Sequence, residues 1–324
     1  MIYLLFAFML LIVELVWFRI ADRFHIIDQP NLRSSHSRIT RRGGGIVFYF
    51  AVLIYSLWFG FPYQWLWVGT SLIAGISLAD DIRPVANRLR LLFHFTAILM
   101  LFAEWGIFQG FSWWLLLVAL VFCVGIINAY NFMDGINGMT GGYSLVLLLT
   151  LIWLNEQHIR FADPALLNTV TLAVLVFNVF NFRKKALCFA GDVGSVSLAF
   201  LVLFFMGILI RETADPTYII FLVVYGVDSV ATIIHRLILR ENIFQAHRKH
   251  AYQIMANELK VPHLTVAVVY MSLQFVVNGV FLLVSPAFRW HYALGAVLLL
   301  AMIYMLFINK FFYLHARVGQ DLPS

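Results

Sequence analysis

An all-α, polytopic bundle that crosses a lipid bilayer about eleven times is the fold class this sequence predicts, on three observations. Hydrophobic residues make up 62% of the 324 and charged residues only 12%, against about 45–50% and about 25% in soluble domains. The mean hydropathy is +0.89, and polar breaks divide the chain into apolar runs near the roughly 20 residues a helical span needs. The basic residues gather in alternate breaks, as the positive-inside rule requires.

The opening run, 1–20, is too long for a signal-peptide core and lacks a small-residue cleavage site, so it reads as a retained first span. Further runs follow at 45–60, 65–79, 89–105, 112–130, 139–154, 164–181, 191–210, 217–235, 263–284 and 291–309. With the N-terminus outside, the breaks after the odd-numbered spans face the cytoplasm, and all of these but the fifth carry basic residues. Of the 22 basic residues, only Arg160, Arg211 and Arg289 fall on the other side. Trp113, Trp114 and Trp290 read as interfacial anchors. One domain spans 1–324, without a soluble domain or internal repeat. The net charge of +6 is topology plus an anion site, since no aromatic-basic nucleic-acid motif occurs. Cys123 and Cys188 lack zinc or redox spacing and read as small apolar residues.

The acidic residues Asp80, Asp81, Asp134, Asp192 and Asp228 all fall at or near cytoplasmic ends of spans. Ionisable groups bordering spans are functional candidates. Carboxylates and amides are hard ligands suited to magnesium, which takes few protein ligands and completes its shell with water and phosphate. Arginines facing them neutralise phosphate charge. That combination is phosphoryl-transfer chemistry at the membrane surface, and without a GxxxxGK[ST] loop it is not the P-loop form.

The stretch SLADDIRPV (Ser77 to Val85) resembles the paired-aspartate motif of the polyprenyl-phosphate N-acetylhexosamine-1-phosphate transferases. NAYNFMDGINGM (Asn128 to Met139) is similar to their NxxNxxDGxxGL motif and GDVGSVSLAF (Gly191 to Phe200) to their GDxGSxxLGF motif. DQPNLRSSHSRITRRGGGI (Asp28 to Ile46) resembles the first cytoplasmic loop, and AHRKHAYQ (Ala246 to Gln253) the histidine loop. The motifs occur in the family's order over most of the chain.

The resemblance implies that undecaprenyl phosphate, or another polyprenyl phosphate, attacks the sugar-linked phosphorus of a UDP-N-acetylhexosamine, releasing UMP, in the bacterial inner membrane. It implies Mg2+, with Mn2+ as an alternative, held by Asn131 and Asp192. Asp80 and Asp81 become the catalytic pair, and two adjacent carboxylates let one act as base, Asp81 preferred slightly. Asn128, Asp134, Arg41, Arg42, Asp228, His247, Arg248 and His250 become substrate-binding candidates. Asp228 with Arg236 also reads as a charge pair, and His36 is a further candidate. Partners are the two substrates and membrane lipid, with a homodimer allowed.

The sequence departs from the family at DGING, where many members have DGIDG, which removes a carboxylate at Asn137. HRKHAYQ lacks the HHH run of the enzymes that load phospho-MurNAc-pentapeptide. This favours the branch that starts O-antigen or related surface polysaccharides over peptidoglycan synthesis. HRxHAYQ looks most like members that use N-acetylfucosamine or similar deoxy sugars. A secondary transporter is the competing class, but it would place its charges near the bilayer midplane.

Overall fold

The computed structural model describes residues 1–30, 35, 38–243, 245 and 247–320, apart from the side chains of 312 and 314–320. His36 lies outside the described residues. A helix stands at every expected apolar run: α1 (Ile2–Phe24), α2 (Ile46–Phe59), α3 (Gln64–Ile82), α4 (Asn87–Glu104), α5 (Trp113–Met133) and α6 (Met139–Gln157). α7 (Pro164–Asn181), α8 (Gly191–Thr213), α9 (Val223–Ile238), α11 (His263–Leu283) and α12 (Arg289–Gln320) follow, with a short α10 (Ala251–Asn257) before α11. Among the described residues, seven helical segments are long and apolar enough to cross a membrane. α2, α3, α4 and α6 fill the remaining runs, α2 being only 14 residues long.

α8 is the axis of the bundle. It is buried along nearly its whole length, and α2, α3, α5 and α6 pack on it. Its first turns are built from Gly194, Ser195 and Ser197, small residues that let neighbouring backbones close in where lipid supplies no hydrophobic drive. The closest approach is to Gly45, where a Cβ would lie 2.2 Å from Gly194 Cα.

The ninth run is not one continuous α-helix. Residues Pro216–Leu222 form a 3₁₀ helix before α9 begins. Gln274 of α11 repairs the junction: its Oε1 accepts from Val224 N at 3.1 Å and its Nε2 donates to Ile220 O at 3.1 Å. Away from water, freed backbone groups persist only where the protein satisfies them again. Tyr143 and Asn278 extend the network, the Tyr143 hydroxyl donating to Gln274 Oε1 at 2.6 Å.

Candidate active site

Two glycine-bearing stretches far apart in sequence build the floor. β1 (Ile27–Asp28) pairs antiparallel with β2 (Thr40–Arg41), and Arg41 bridges in parallel to Cys188. Phe189 N donates to Arg41 O at 2.8 Å, and Gly44 N to Phe189 O at 2.9 Å. The RRGGG segment therefore lies along the residues that lead into α8. Gly191 adopts φ +71°, a left-handed conformation where a side chain is strained, and a Cβ there would sit 2.6 Å from Asp81 Oδ2.

Three carboxylates meet over this floor, stitched by two guanidinium groups. Arg42 Nε donates to Asp81 Oδ1 at 2.6 Å and its Nη2 to Asp192 Oδ1 at 3.1 Å. Arg90 lies 2.8 Å from Asp80 Oδ2 and 3.3 Å from Asp192 Oδ2. Burial opposes the charge on Arg42, but Asp81 and Asp192 outweigh it and hold that guanidinium above its usual range. Asp81 also accepts from the backbone N–H groups of Asp192 and Val193, both at 2.9 Å. Its side chain is 0% exposed, against 10% for Asp80 and 16% for Asp192. Asp80 Oδ1 accepts from Val85 N at 2.7 Å.

α5 brings in the second motif. Asn131 Nδ2 reaches Ser195 Oγ at 3.4 Å, one turn along α8 from Asp192, while Ser195 Oγ donates to Gly191 O. Asp134 follows the last residue of α5. Burial pushes its carboxyl up to about 7; the Thr140 hydroxyl pulls downward, while the negative Asp192 and Asp81 add to the rise. A cavity of about 210 Å³ opens here, with Arg42, Asn131, Asp134, Asp192, Ser195 and Gln253 in its wall.

Several expected substrate residues stand elsewhere. Asn128 donates to Val124 O of its own helix at 3.0 Å, outside the cavity wall. Arg41 grips Asp22 with a two-toothed bond at 2.7 and 2.9 Å and lies over the Phe18 ring, outside the wall. Asp228 is buried and takes the Tyr270 hydroxyl at 2.5 Å and Ala251 N at 3.1 Å, so it anchors α10. Its side-chain neighbour is the His250 ring and not Arg236. Arg236 instead donates to the carbonyls of Asn242, Ile243 and Gln245 and to Glu241, bracing the loop. Glu241 in turn pairs with Lys249. Burial drives His247 down to about 3, with His250, Arg236 and Lys249 reinforcing it, so the ring is neutral. His247, Arg248 and His250 all stand behind the wall, to which this loop contributes Gln253.

The family model described as "Glycosyl transferase family 4" matches residues 63–210. Over those residues the chain is similar to this family. Among its relatives, a "Probable undecaprenyl-phosphate N-acetylglucosaminyl 1-phosphate transferase" of Bacillus subtilis (strain 168) is 25% identical over 274 residues, 78% of this chain and 76% of that one. An "Undecaprenyl-phosphate alpha-N-acetylglucosaminyl 1-phosphate transferase" of Escherichia coli (strain K12) is 23% identical over 269 residues, 73% and 71% of the two chains. One of the same name from Thermotoga maritima is 25% identical over 273 residues, 80% and 82%.

The family 4 match takes in Asp80, Asp81, Asn131, Asp134 and Asp192 and leaves Arg42 and the histidine loop outside. The structure joins Arg42 to the matched part, because Arg42, outside the match, bonds Asp81 and Asp192 inside it. Sequence reasoning missed Ser195, Gln253 and Asn181. Asn181 receives Gly138 N at 2.8 Å and donates to Cys188 O at 2.9 Å. Asn137, where the family pattern is broken, is buried and donates to Arg183 O at 3.0 Å. The two amides clamp the turn after Asp134 against the approach to α8. Of the missed residues, Ser195 lies inside GDVGS and Gln253 inside AHRKHAYQ, so position in a motif was their only signal, and Asn181 lies in neither stretch.

Proposed function

We propose that the protein transfers an N-acetylhexosamine-1-phosphate from a UDP-sugar to undecaprenyl phosphate, releasing UMP and leaving a polyprenyl-diphosphate-sugar. The observation that carries this reading is the meeting of Asp80, Asp81 and Asp192 with Arg42 and Arg90, of which Arg42 and Asp192 line the cavity. Its relatives' names carry the substrates: N-acetylglucosamine-1-phosphate and undecaprenyl phosphate. On our reading eleven helices cross the inner membrane and the cavity opens to the cytoplasm, as the basic residues favour. A lipid anion and a cytosolic nucleotide sugar then meet at the one interface both can reach.

Arg42 and Arg90 offer planar forks suited to phosphate oxygens, and drawing two anions together requires such charge. An acceptor phosphate oxygen attacks the sugar-linked phosphorus as the bond from that phosphorus to the UMP oxygen breaks, so UMP leaves with the bonding pair. Asp80, the more exposed of the pair, is the carboxylate that takes any proton remaining on the acceptor. The donors around Asn131 and Asp192 are oxygen atoms, and among the described residues no three His, Cys, Asp or Glu converge as a metal cage. That fits Mg2+ or Mn2+, for which Asn131 and Asp192 would supply the protein ligands and water and diphosphate the rest. Bound there, the ion would supply charge stabilisation for the departing phosphate.

The HRKHAYQ loop favours initiation of O-antigen or a related surface polysaccharide over peptidoglycan. Detergent-purified protein given a polyprenyl phosphate and a panel of UDP-N-acetylhexosamines, UDP-MurNAc-pentapeptide included, should release UMP from the simple sugars. UMP from the pentapeptide substrate alone would move the protein to the peptidoglycan branch. No UMP from any donor would reject the transferase reading, because a transporter has no reaction without a sealed compartment.

A further inference from the structure

We infer that Asp81 is a positioning residue, which caps α8 from another helix and thereby fixes Asp192, and that it does not take the acceptor's proton. This rests on the transferase reading for what Asp192 does. The start of α8 has no cap of its own: Ala190 occupies the N-cap position and offers no side-chain acceptor. The first four N–H groups of a helix need partners from outside it. Asp81, more than a hundred residues earlier on α3, supplies them by receiving Asp192 N on Oδ1 and Val193 N on Oδ2, each at 2.9 Å.

The same carboxylate receives Arg42 Nε at 2.6 Å on Oδ1. A carboxylate has about four acceptor positions, and three of these are filled by protein donors, two of them backbone N–H groups. With a side chain 0% exposed, Asp81 has no approach for a phosphate oxygen. Gly191, whose absent side chain makes room for Oδ2, completes the socket. A negative group at a helix N-terminus is also favoured by the helix dipole. Losing it would let the first turn of α8 shift, and that turn carries Asp192 and, one turn on, the Ser195 that meets Asn131. The two aspartates therefore divide the work: Asp81 holds the residues around the ion in place, and Asp80, with its 10% exposure, faces the acceptor.

The two roles separate by experiment. Asn in place of Asp81 can accept on one atom only and turns an amide toward an N–H group. Mn2+ binding to purified protein in the presence of UMP is read by electron paramagnetic resonance, alongside the Mg2+ concentration giving half-maximal turnover. Asp81→Asn should weaken Mn2+ binding about 10–100-fold, the usual effect of losing a group that orients a metal ligand, with turnover partly recovering at high Mg2+. Asp80→Asn should leave Mn2+ affinity within about threefold while losing turnover. If Asp81→Asn is not monodisperse, Asp81→Ser, which keeps one acceptor oxygen, is read the same way. Wild-type Mn2+ affinity in the Asp81 variant with turnover lost at every Mg2+ concentration would overturn the inference. So would wild-type protein that binds no Mn2+ with UMP. Absence of UMP release by the wild type would instead reject the reaction, and the Mn2+ titrations would still decide what Asp81 does.

Discussion

Asp228 and His250 face each other at 3.2 Å, Oδ1 to Nδ1, in a buried pocket that water does not reach. The pair joins α9 to the loop that carries α10, and Asp228 also receives Ala251 N and the Tyr270 hydroxyl. Asp228→Ala should therefore loosen the whole loop. Removing one partner of a buried pair costs about 3–5 kcal/mol, so thermal unfolding in detergent should come clearly earlier. KM for the UDP-sugar should rise as Gln253 loses its place in the cavity wall. An unchanged melting temperature would show that the loop is held elsewhere.

Arg42 touches both Asp81 and Asp192. A lysine carries the charge but lacks the fork, so it can serve one carboxylate at a time. Arg42→Lys should lower kcat/KM by about tenfold or more, and Arg42→Ala by more again. Arg41→Lys is the comparison. Arg41 pairs with Asp22 at a largely exposed site, where an ion pair is worth roughly 0–1 kcal/mol, so that variant should stay within about threefold of wild type. Equal losses in the two lysine variants would mean that Arg42 acts only as part of a diffuse positive loop.

The carboxyl of Asp134 is pushed up to about 7, chiefly by burial. A folded-state value above the unfolded one means that the fold favours the protonated form. The stability this confers is complete below the ordinary carboxylate range and is lost as pH rises toward about 7. Asp134→Asn cannot ionise. In chelator, the melting temperature of the wild type should fall relative to that of Asp134→Asn between about pH 5 and about pH 7, then run parallel above about pH 8. His247, driven down to about 3, stays neutral across that window and should not contribute. A constant difference between the two proteins would place the Asp134 titration outside the window.

The helices were legible because each apolar run is long and each polar break is sharp: every expected run holds a helix. The partnerships among polar residues were not. Asp80 and Asp81 are adjacent and chemically alike, and only the fold buries one against α8 while leaving the other partly exposed beside Arg90. Asp228 and Arg236 both lie toward the end of the ninth run, which is all that suggests their pairing. His250 won because the chain turns back and α10 starts over the Asp228 carboxylate. The 3₁₀ stretch at Pro216–Leu222 was missed for a related reason. Its sequence is as apolar as any span, and what stabilises it is Gln274, more than fifty residues later.

Orientation decides which substrate pool the cavity meets, so it carries the last expectation. Cys123 and Cys188 are both buried, which keeps the background low for an impermeant thiol reagent applied to intact cells. Arg160 and Glu212 are exposed at one end of the bundle, near Asp163 and Asp215. Lys184 and Lys260 are exposed in the basic breaks that we place inside. Arg160→Cys and Glu212→Cys should be labelled on intact cells, and Lys184→Cys and Lys260→Cys only after the membrane is permeabilised. Four exposed positions are needed because one miscounted span would reverse only those that follow it. The charge asymmetry makes such an error costly, since it would carry a block of arginines and lysines across the membrane. Labelling of Lys184→Cys on intact cells would put the entry to α8, and Asp192 with it, on the outer side, where no cytosolic UDP-sugar could reach it.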